Sequence, residues 1–126
     1  MSGTEQWSRE KAIQLLNDCM LEQDANVQGS LMQDLNEILV KKDPHLIPEF
    51  MPKLLELQMY PNISIRRHLA GMLEDIGSKT STYLPEIFDT LRTFLDDAAP
   101  AVTKRALTAG GVLYKQAFTV AAKRVS

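Results

Sequence analysis

Leu46–Leu57 reads LIPEFMPKLLEL, and Tyr83–Phe94 reads YLPEIFDTLRTF. A shift of 37 residues places Pro48 on Pro85 and superimposes the apolar positions of the two segments. A repeat of about this length is typical of HEAT and armadillo proteins, in which each unit is a pair or trio of helices. This stretch therefore indicates a helical repeat protein.

The same alignment extends beyond these two segments. The 37-residue shift carries Ile65 to Val102 and Arg67 to Lys104, and a shift of 38 residues carries Ile65 back to Val27. Three units of similar length result. The sequence thus predicts an all-α fold, a HEAT/armadillo-type helical-repeat solenoid of three antiparallel helix pairs.

Helix-capping and helix-breaking residues agree with this register. Asp43 is expected to cap a helix that starts with Pro44, and Gly77 is expected to end a helix in the left-handed conformation. A second cap-then-proline run occupies Asp96–Pro100. The predicted helices span about 8–22, 26–42, 44–59, 63–77, 82–96 and 100–123.

Each predicted helix carries an apolar stripe at three- and four-residue spacing, which must be covered by its partner and by the next pair. The predicted core comprises Ala12, Leu15, Leu16, Cys19, Met20, Val27, Leu31, Leu35, Ile38, Leu39, Leu46, Ile47, Phe50, Leu54, Leu57, Ile65, Leu69, Met72, Leu73, Ile76, Leu84, Ile87, Phe88, Leu91, Leu95, Val102, Ala106, Ala109, Leu113 and Ala117.

The predicted domain organisation is simple. Residues 1–7 are expected to form a disordered tail, and residues 8–123 a single repeat domain with units at 8–42, 44–77 and 82–123. The N-terminus lacks the apolar core of a signal peptide, and no run of about 18 apolar residues occurs. These features favour the cytosol or the nucleus and argue against a membrane partner.

Charge is distributed unevenly along the chain. All 16 acidic residues precede Pro100, and five basic residues with no acidic one follow it. A basic end can meet an acidic protein or nucleic acid. In the alternative interpretation the last helix is simply solvated, with Lys123 and Arg124 complementing its C-terminal dipole.

Residues with catalytic or metal-binding chemistry do not form a recognisable site. Cys19, the single cysteine, lies among apolar neighbours and is expected to be buried and inert. His45 is expected to be exposed, and neither it nor His68 has a second ligand at metal-binding spacing. Gly110-Gly111 lacks the context of a phosphate loop. We therefore expect no enzymatic activity and no cofactor.

One set of basic residues has a geometric reason to act together. Arg67 and Lys104 occupy the same repeat position, and Lys115 lies three helical turns beyond Lys104. The second helix of each HEAT pair usually lines the binding surface of a solenoid. We name Arg67, Lys104 and Lys115 the basic ladder and expect it to contact an acidic protein segment, unless these are ordinary solvated cations. Met51 and Met59 are further candidates for exposure on a binding face.

Three runs, Val40–Leu46 (VKKDPHL), Asn62–Arg67 (NISIRR) and Leu113–Ala117 (LYKQA), resemble the N-terminal HEAT domain of the symplekin family. The resemblance covers about residues 11–123, although the family domain continues through further repeats and no phosphatase-contacting residue can be matched. Symplekins are nuclear scaffolds of pre-mRNA cleavage and polyadenylation.

The resemblance implies a scaffold that docks a phosphatase of the RNA polymerase II C-terminal domain, or other cleavage and polyadenylation factors. It also implies a nuclear location, with the cytoplasm as an alternative. Two other functions stay open: nucleic-acid contact through the basic C-terminal helix, and an unrelated HEAT adaptor in transport or signalling. Direct nucleic-acid binding is not favoured, because only Tyr114 and Phe118 offer stacking aromatics beside basic residues.

Overall fold

The computed structural model describes the backbone of residues 2–125 and the side chains of residues 7–116. Within these ranges the chain is helical throughout its ordered elements and contains no strand. The predicted all-α fold with six helices is confirmed. The helices are α1 (Ser2–Leu21), α2 (Ala25–Asn36), α3 (Ile47–Glu56), α4 (Ile63–Lys79), α5 (Leu84–Leu95) and α6 (Pro100–Val125).

Short helical segments extend α2 and α3 to the predicted limits. A π-helical segment, Glu37–Lys42, continues α2, and 3-10 turns at Pro44–Leu46 and Leu57–Met59 flank α3. The π segment closes with the amide of Asp43 donating to the carbonyl of Ile38 at 2.7 Å. Because this hydrogen bond joins residues five apart rather than four, the last turn before Pro44 is wider than an α-helical turn.

The side chains at both ends of the chain, residues 1–6 and 117–126, lie outside the described residues. α1 begins at Ser2 rather than near residue 8. Most of the predicted tail at residues 1–7 has side chains outside the described residues, so that prediction stays untested. The side chains of Ala117, Phe118, Lys123 and Arg124 also lie outside them.

Proline and aspartate mark the helix starts, with one correction. Pro48 and Pro85 both lie in the first turn of their helices, α3 and α5, as the repeat alignment requires. Asp43 was expected to cap the following turn, but its side chain makes no capping hydrogen bond. Its Oδ1 lies instead 3.1 Å from Nδ1 of the exposed His45.

The chain divides into two compact units, residues 1–69 and residues 70–126, with the boundary inside α4. In unit 1, α1 packs against α2 across the short connection at 22–24, so the two helices run antiparallel. Oδ1 of Asp24 caps α2 by accepting from the amides of Asn26 and Val27 at 2.8 and 3.1 Å. The unit 1 core includes Ala12, Leu15, Leu16, Cys19, Met32, Leu35, Leu39, Phe50, Leu54, Ile65 and Leu69.

In unit 2, α5 packs against α6. Oδ1 of Asp97 accepts from the amide of Ala99 at 2.9 Å and so orders the connection before Pro100. The Thr103 hydroxyl lies 3.3 Å from the carbonyl oxygens of Phe94 and Asp97, which ties the start of α6 to the end of α5. The unit 2 core includes Leu73, Ile76, Ile87, Leu91, Phe94, Val102, Ala106, Ala109 and Leu113.

Gly77 does not end a helix, contrary to the prediction. α4 continues to Lys79, and no glycine among the described residues has a positive φ. Gly77 is buried, and a Cβ added there would lie 2.9 Å from both δ-methyl carbons of Leu113. The residue is therefore small for packing reasons, not for backbone freedom.

Gly111 and Gly77 provide a matched pair for a stability test. A Cβ at Gly111 would meet no atom within 4 Å. Gly111→Ala should therefore gain about 1 kcal/mol of helix propensity, which raises Tm by roughly 3–5 °C for a chain of this size. Gly77→Ala gains the same propensity but overpacks against Leu113 at a cost of about 1–3 kcal/mol. Thermal unfolding followed by circular dichroism should show a rise for Gly111→Ala only, and an equal rise for both variants would contradict the packing at Gly77.

Candidate protein-binding site

α6 presents two members of the basic ladder on one stripe. Lys104 and Lys115 are both exposed, and their separation of three helical turns places them on the same face of the helix. Gly111, also exposed, lies between them one turn from Lys115. This face therefore combines two cations with a position that has no side chain.

An apolar groove runs beside this stripe, between α5 and α6. Its volume is about 430 Å³, and Gly110 and Gly111 leave its α6 side without side chains at the centre. Leu107 is 59% exposed and Tyr114 is 66% exposed, and because both line the same groove they form an exposed apolar patch. We call this the α5–α6 groove; it is lined by Phe88, Leu91, Arg92, Leu95, Ala106, Leu107, Gly110, Gly111 and Tyr114.

Arg92 lines the groove, and Lys104 and Lys115 lie beside it. Arg92 is the one charged residue in the described lining; its Nη1 lies 3.6 Å from Oδ1 of Asp89, and both side chains are strongly exposed. Such a pair contributes little to stability, roughly 0–1 kcal/mol. Lys104 and Lys115 border the groove on the side of α6 that faces away from α5, since they flank Gly111 on the helix surface.

Arg105 has a different role from its neighbour Lys104. Its Nη1 donates to Oε1 of Glu74 at 2.8 Å, and both side chains are partly buried. A Cβ at Gly71 would lie 3.0 Å from Nη2 of Arg105, so the guanidinium lies across this glycine. Arg105 therefore fastens α6 to α4 and belongs to the packing of unit 2.

Arg67, the third member of the basic ladder, belongs to unit 1. It is exposed, as predicted, and lines a small polar pocket of about 200 Å³ together with Ala25, Asn26, Gly29, Ser30, Gln33 and His68. The structure thus finds all three ladder residues at the surface. It brings Lys104 and Lys115 onto one stripe of unit 2, and Arg67 is described within its own unit.

His68 was not singled out as a packing residue by the sequence. Its Nδ1 lies 2.9 Å from the carbonyl oxygen of Ser64, so Nδ1 carries the proton that the carbonyl accepts. A Cβ at Gly29 would lie 2.8 Å from Cε1 of His68, which shows how closely the imidazole covers this glycine. The sequence did relate His68 to Arg105 by the 37-residue shift, and the structure shows that both side chains cover a glycine.

A second exposed patch lies in unit 1 and is acidic. Leu21 is 81% exposed, and Val27, which was predicted in the core, is 42% exposed. Asp18 and Glu22 lie beside them around a shallow cavity of about 320 Å³. We call this the α1–α2 patch; it is lined by Asp18, Leu21, Glu22, Val27 and Leu31.

Other predicted exposures give a mixed result. Met59 is exposed and fits the expectation of a surface methionine, whereas Met51, on the buried face of α3, cannot line a binding face. Leu95 was predicted in the core but is 42% exposed, because it lies at the edge of the α5–α6 groove. Helical periodicity places a residue on a face but does not show whether a neighbour covers that face.

Residue types that commonly catalyse reactions or bind metals do not cluster among the described residues. Among the described residues, no three His, Cys, Asp or Glu side chains converge as a metal site would require. No described helix combines the length and hydropathy needed to cross a membrane. Cys19 is fully buried, as predicted, and its Sγ lies 3.8 Å from the carbonyl oxygen of Gln28. Burial raises the pKa of the Cys19 thiol to about 11.

No known protein-family model matches the chain. Its function must therefore be argued from surface chemistry. The described surface offers two features that suit macromolecular contact: the α5–α6 groove with its cations and the α1–α2 patch with its carboxylates.

Cys19 should be unreactive in the folded protein. With a pKa of about 11, roughly one thiol in a thousand is ionised at pH 8, and the sulfur has no solvent contact. A disulfide-exchange reagent should therefore modify Cys19 slowly in buffer and rapidly in denaturing urea. Fast stoichiometric labelling of the folded chain would show that α1 opens readily and that the described burial is wrong.

Proposed function

We propose that this chain is a protein-binding scaffold of the HEAT type that receives an acidic protein segment on Lys104 and Lys115, the two residues of the basic ladder that share a stripe of α6. The observation that carries the proposal is the exposed stripe of Lys104, Gly111 and Lys115 beside the α5–α6 groove. Cations next to an open apolar channel suit a segment that carries both carboxylates and apolar side chains.

The HEAT type is supported by two residues at one repeat position, each of which lies over a glycine of another helix. In unit 1, His68 covers Gly29 of α2, and in unit 2, Arg105 covers Gly71 of α4. His68 and Arg105 are related by the same 37-residue shift that aligns Pro48 with Pro85. The two glycines are 42 residues apart, so the contacts are similar in kind and differ by about one helical turn in register. Similar contacts by equivalent residues are what a repeat architecture predicts.

The spacing of the cations defines what a partner segment needs. Lys104 and Lys115 are separated by about 16 Å along α6, from a rise of about 1.5 Å per residue. An extended segment with carboxylates about five residues apart would span them. Each solvated contact contributes about 0.2–1 kcal/mol and mainly accelerates encounter, so the apolar groove must supply most of the residence time.

The partner class follows from the symplekin resemblance. We propose that the chain acts in the nucleus, in pre-mRNA cleavage and polyadenylation. Its proposed partner there is a phosphatase of the RNA polymerase II C-terminal domain or another factor of the same machinery. A second candidate is contact with single-stranded RNA, favoured by one observation: Tyr114 is exposed next to Lys115 on α6. An aromatic face beside a cation is the elementary unit of sequence-tolerant stacking.

Charge reversal tests the role of the basic ladder. Lys104→Glu combined with Lys115→Glu should weaken binding to the purified phosphatase about ten-fold or more at low salt, since two attractive contacts become repulsive. Helicity and Tm should change little, because both side chains are exposed. Raising the salt to about 0.15 M shortens the screening length to about 8 Å and should shrink the difference. Isothermal titration calorimetry at two salt concentrations measures both effects.

The matched control reverses two exposed lysines elsewhere, Lys42→Glu with Lys53→Glu, which changes the net charge equally. Control binding as weak as that of the ladder variant would show that only net charge matters. Undiminished binding of the ladder variant would exclude the ladder as the contact. A chain that binds single-stranded RNA but not the phosphatase would support the second candidate instead.

A further inference from the structure

We propose that copies of this chain associate through unlike surfaces, the α1–α2 patch of one copy seating in the α5–α6 groove of another. The α1–α2 patch has no part in the acidic-segment proposal, and a second copy of the chain would compete with the acidic segment for the α5–α6 groove.

Repeat equivalence identifies both surfaces as faces that are covered elsewhere in the chain. Leu107 is 59% exposed, whereas Ala70, its equivalent 37 residues earlier, is fully buried. Val27 is 42% exposed, whereas its equivalents Ile65 and Val102 are both fully buried. The same repeat positions therefore carry apolar side chains that one part of the chain buries and another part exposes.

The face of α4 that is equivalent to the groove face of α6 is covered, and the residues that cover it indicate what kind of occupant the groove takes. On α4, the equivalent of Tyr114 is Gly77, which is covered by the δ-methyl carbons of Leu113 and Leu84. The equivalent of Gly111 is Glu74, which accepts a hydrogen bond from Arg105. Within unit 2, this face is thus covered by leucine methyl groups together with one oppositely charged side chain. An occupant of the α5–α6 groove should offer the same combination.

The α1–α2 patch offers leucine in a matching shape. Leu21, 81% exposed at the C-terminal end of α1, projects as a knob. Gly110 and Gly111 leave a hole in the groove, since a Cβ at either position would meet no atom within 4 Å. Insertion of a knob into a hole is the usual way in which helices pack against each other.

The charges select this pairing over the two symmetric ones. The patch carries Asp18 and Glu22 beside the negative end of the α1 dipole, and the groove carries Arg92, with Lys104 and Lys115 on its border. Groove against groove would bring like cations together, and patch against patch would bring like carboxylates together. Patch against groove places opposite charges around a common apolar centre, which is the arrangement of specific interfaces.

The association should be weak and should not stop at a dimer. Each surface is small, so the contact falls at the low end of interface areas, below about 1,200 Å² in total. A contact between unlike surfaces leaves one free patch and one free groove on every dimer, and it therefore produces longer chains or rings. We expect the mass-average molar mass of the 126-residue chain to rise with concentration beyond that of a dimer.

Two single variants and their mixture test the proposal. Leu21→Glu removes the patch and keeps the groove, whereas Leu107→Glu removes the groove and keeps the patch. Each variant alone should be monomeric in sedimentation velocity at concentrations where the parent chain associates. An equimolar mixture should form dimers and no larger species, because one intact patch meets one intact groove. Met59→Glu, an exposed apolar residue outside both surfaces, should associate like the parent chain.

Several outcomes would overturn the proposal. A parent chain that stays monomeric at all concentrations would overturn it, as would a mixture that stays monomeric. Loss of association in Leu107→Glu alone, with Leu21→Glu unaffected, would point to a symmetric groove contact and would also contradict it. The three substituted side chains, Leu21, Leu107 and Met59, are all exposed, so circular dichroism should be unchanged and misfolding can be excluded directly. Because no partner protein enters the assay, its result is independent of phosphatase binding.

Discussion

The packing depends on the close approach of helices at glycine residues, of α4 to α2 in unit 1 and of α6 to α4 in unit 2. In unit 1, the His68 ring lies where a Cβ of Gly29 would come within 2.8 Å, and in unit 2, Arg105 and Leu113 lie over Gly71 and Gly77. Without a Cβ, a helix can come near enough for a long side chain of its neighbour to lie flat across it. Each glycine lowers the stability of its helix by about 1 kcal/mol relative to alanine, and the contacts that this approach permits offset the loss.

Gly110 and Gly111 show that the same residue type can have the opposite consequence. Neither has a neighbour within 4 Å of a would-be Cβ, so no described contact offsets their cost to α6. They open a hole in a surface where Leu107 and Tyr114 are already exposed. Residues that lower helix stability without improving the packing of the monomer are common where a second molecule binds, because selection there acts on the complex. The glycine pair therefore favours a contact with a second molecule at this surface.

Much of the fold could be predicted from the sequence, because periodicity and proline placement report local structure. The aligned Pro48 and Pro85 located two helix starts, and four of the six predicted helices begin within two residues of their observed starts. The predicted start at residue 44 coincides with the 3-10 turn that precedes α3. Errors arose where the answer depends on distant neighbours. Gly77 was expected to act through its backbone, but it is small because Leu113 packs on it, and Val27 is exposed although its equivalents Ile65 and Val102 are buried.

The candidate site was predictable only in part, for a reason that adjacent cations of α6 illustrate. Lys104 and Arg105 are consecutive in a segment with five basic and no acidic residues, yet they point about 100° apart on the helix. Arg105 bonds to Glu74 and helps to hold unit 2 together, while Lys104 faces solvent. A charge count assigns both residues to the same basic surface, whereas repeat position separates them, since Arg105 aligns with the packing residue His68 and Lys104 with the exposed Arg67. In a repeat protein, the function of a charged residue is thus read more reliably from its position in the repeat than from the composition around it.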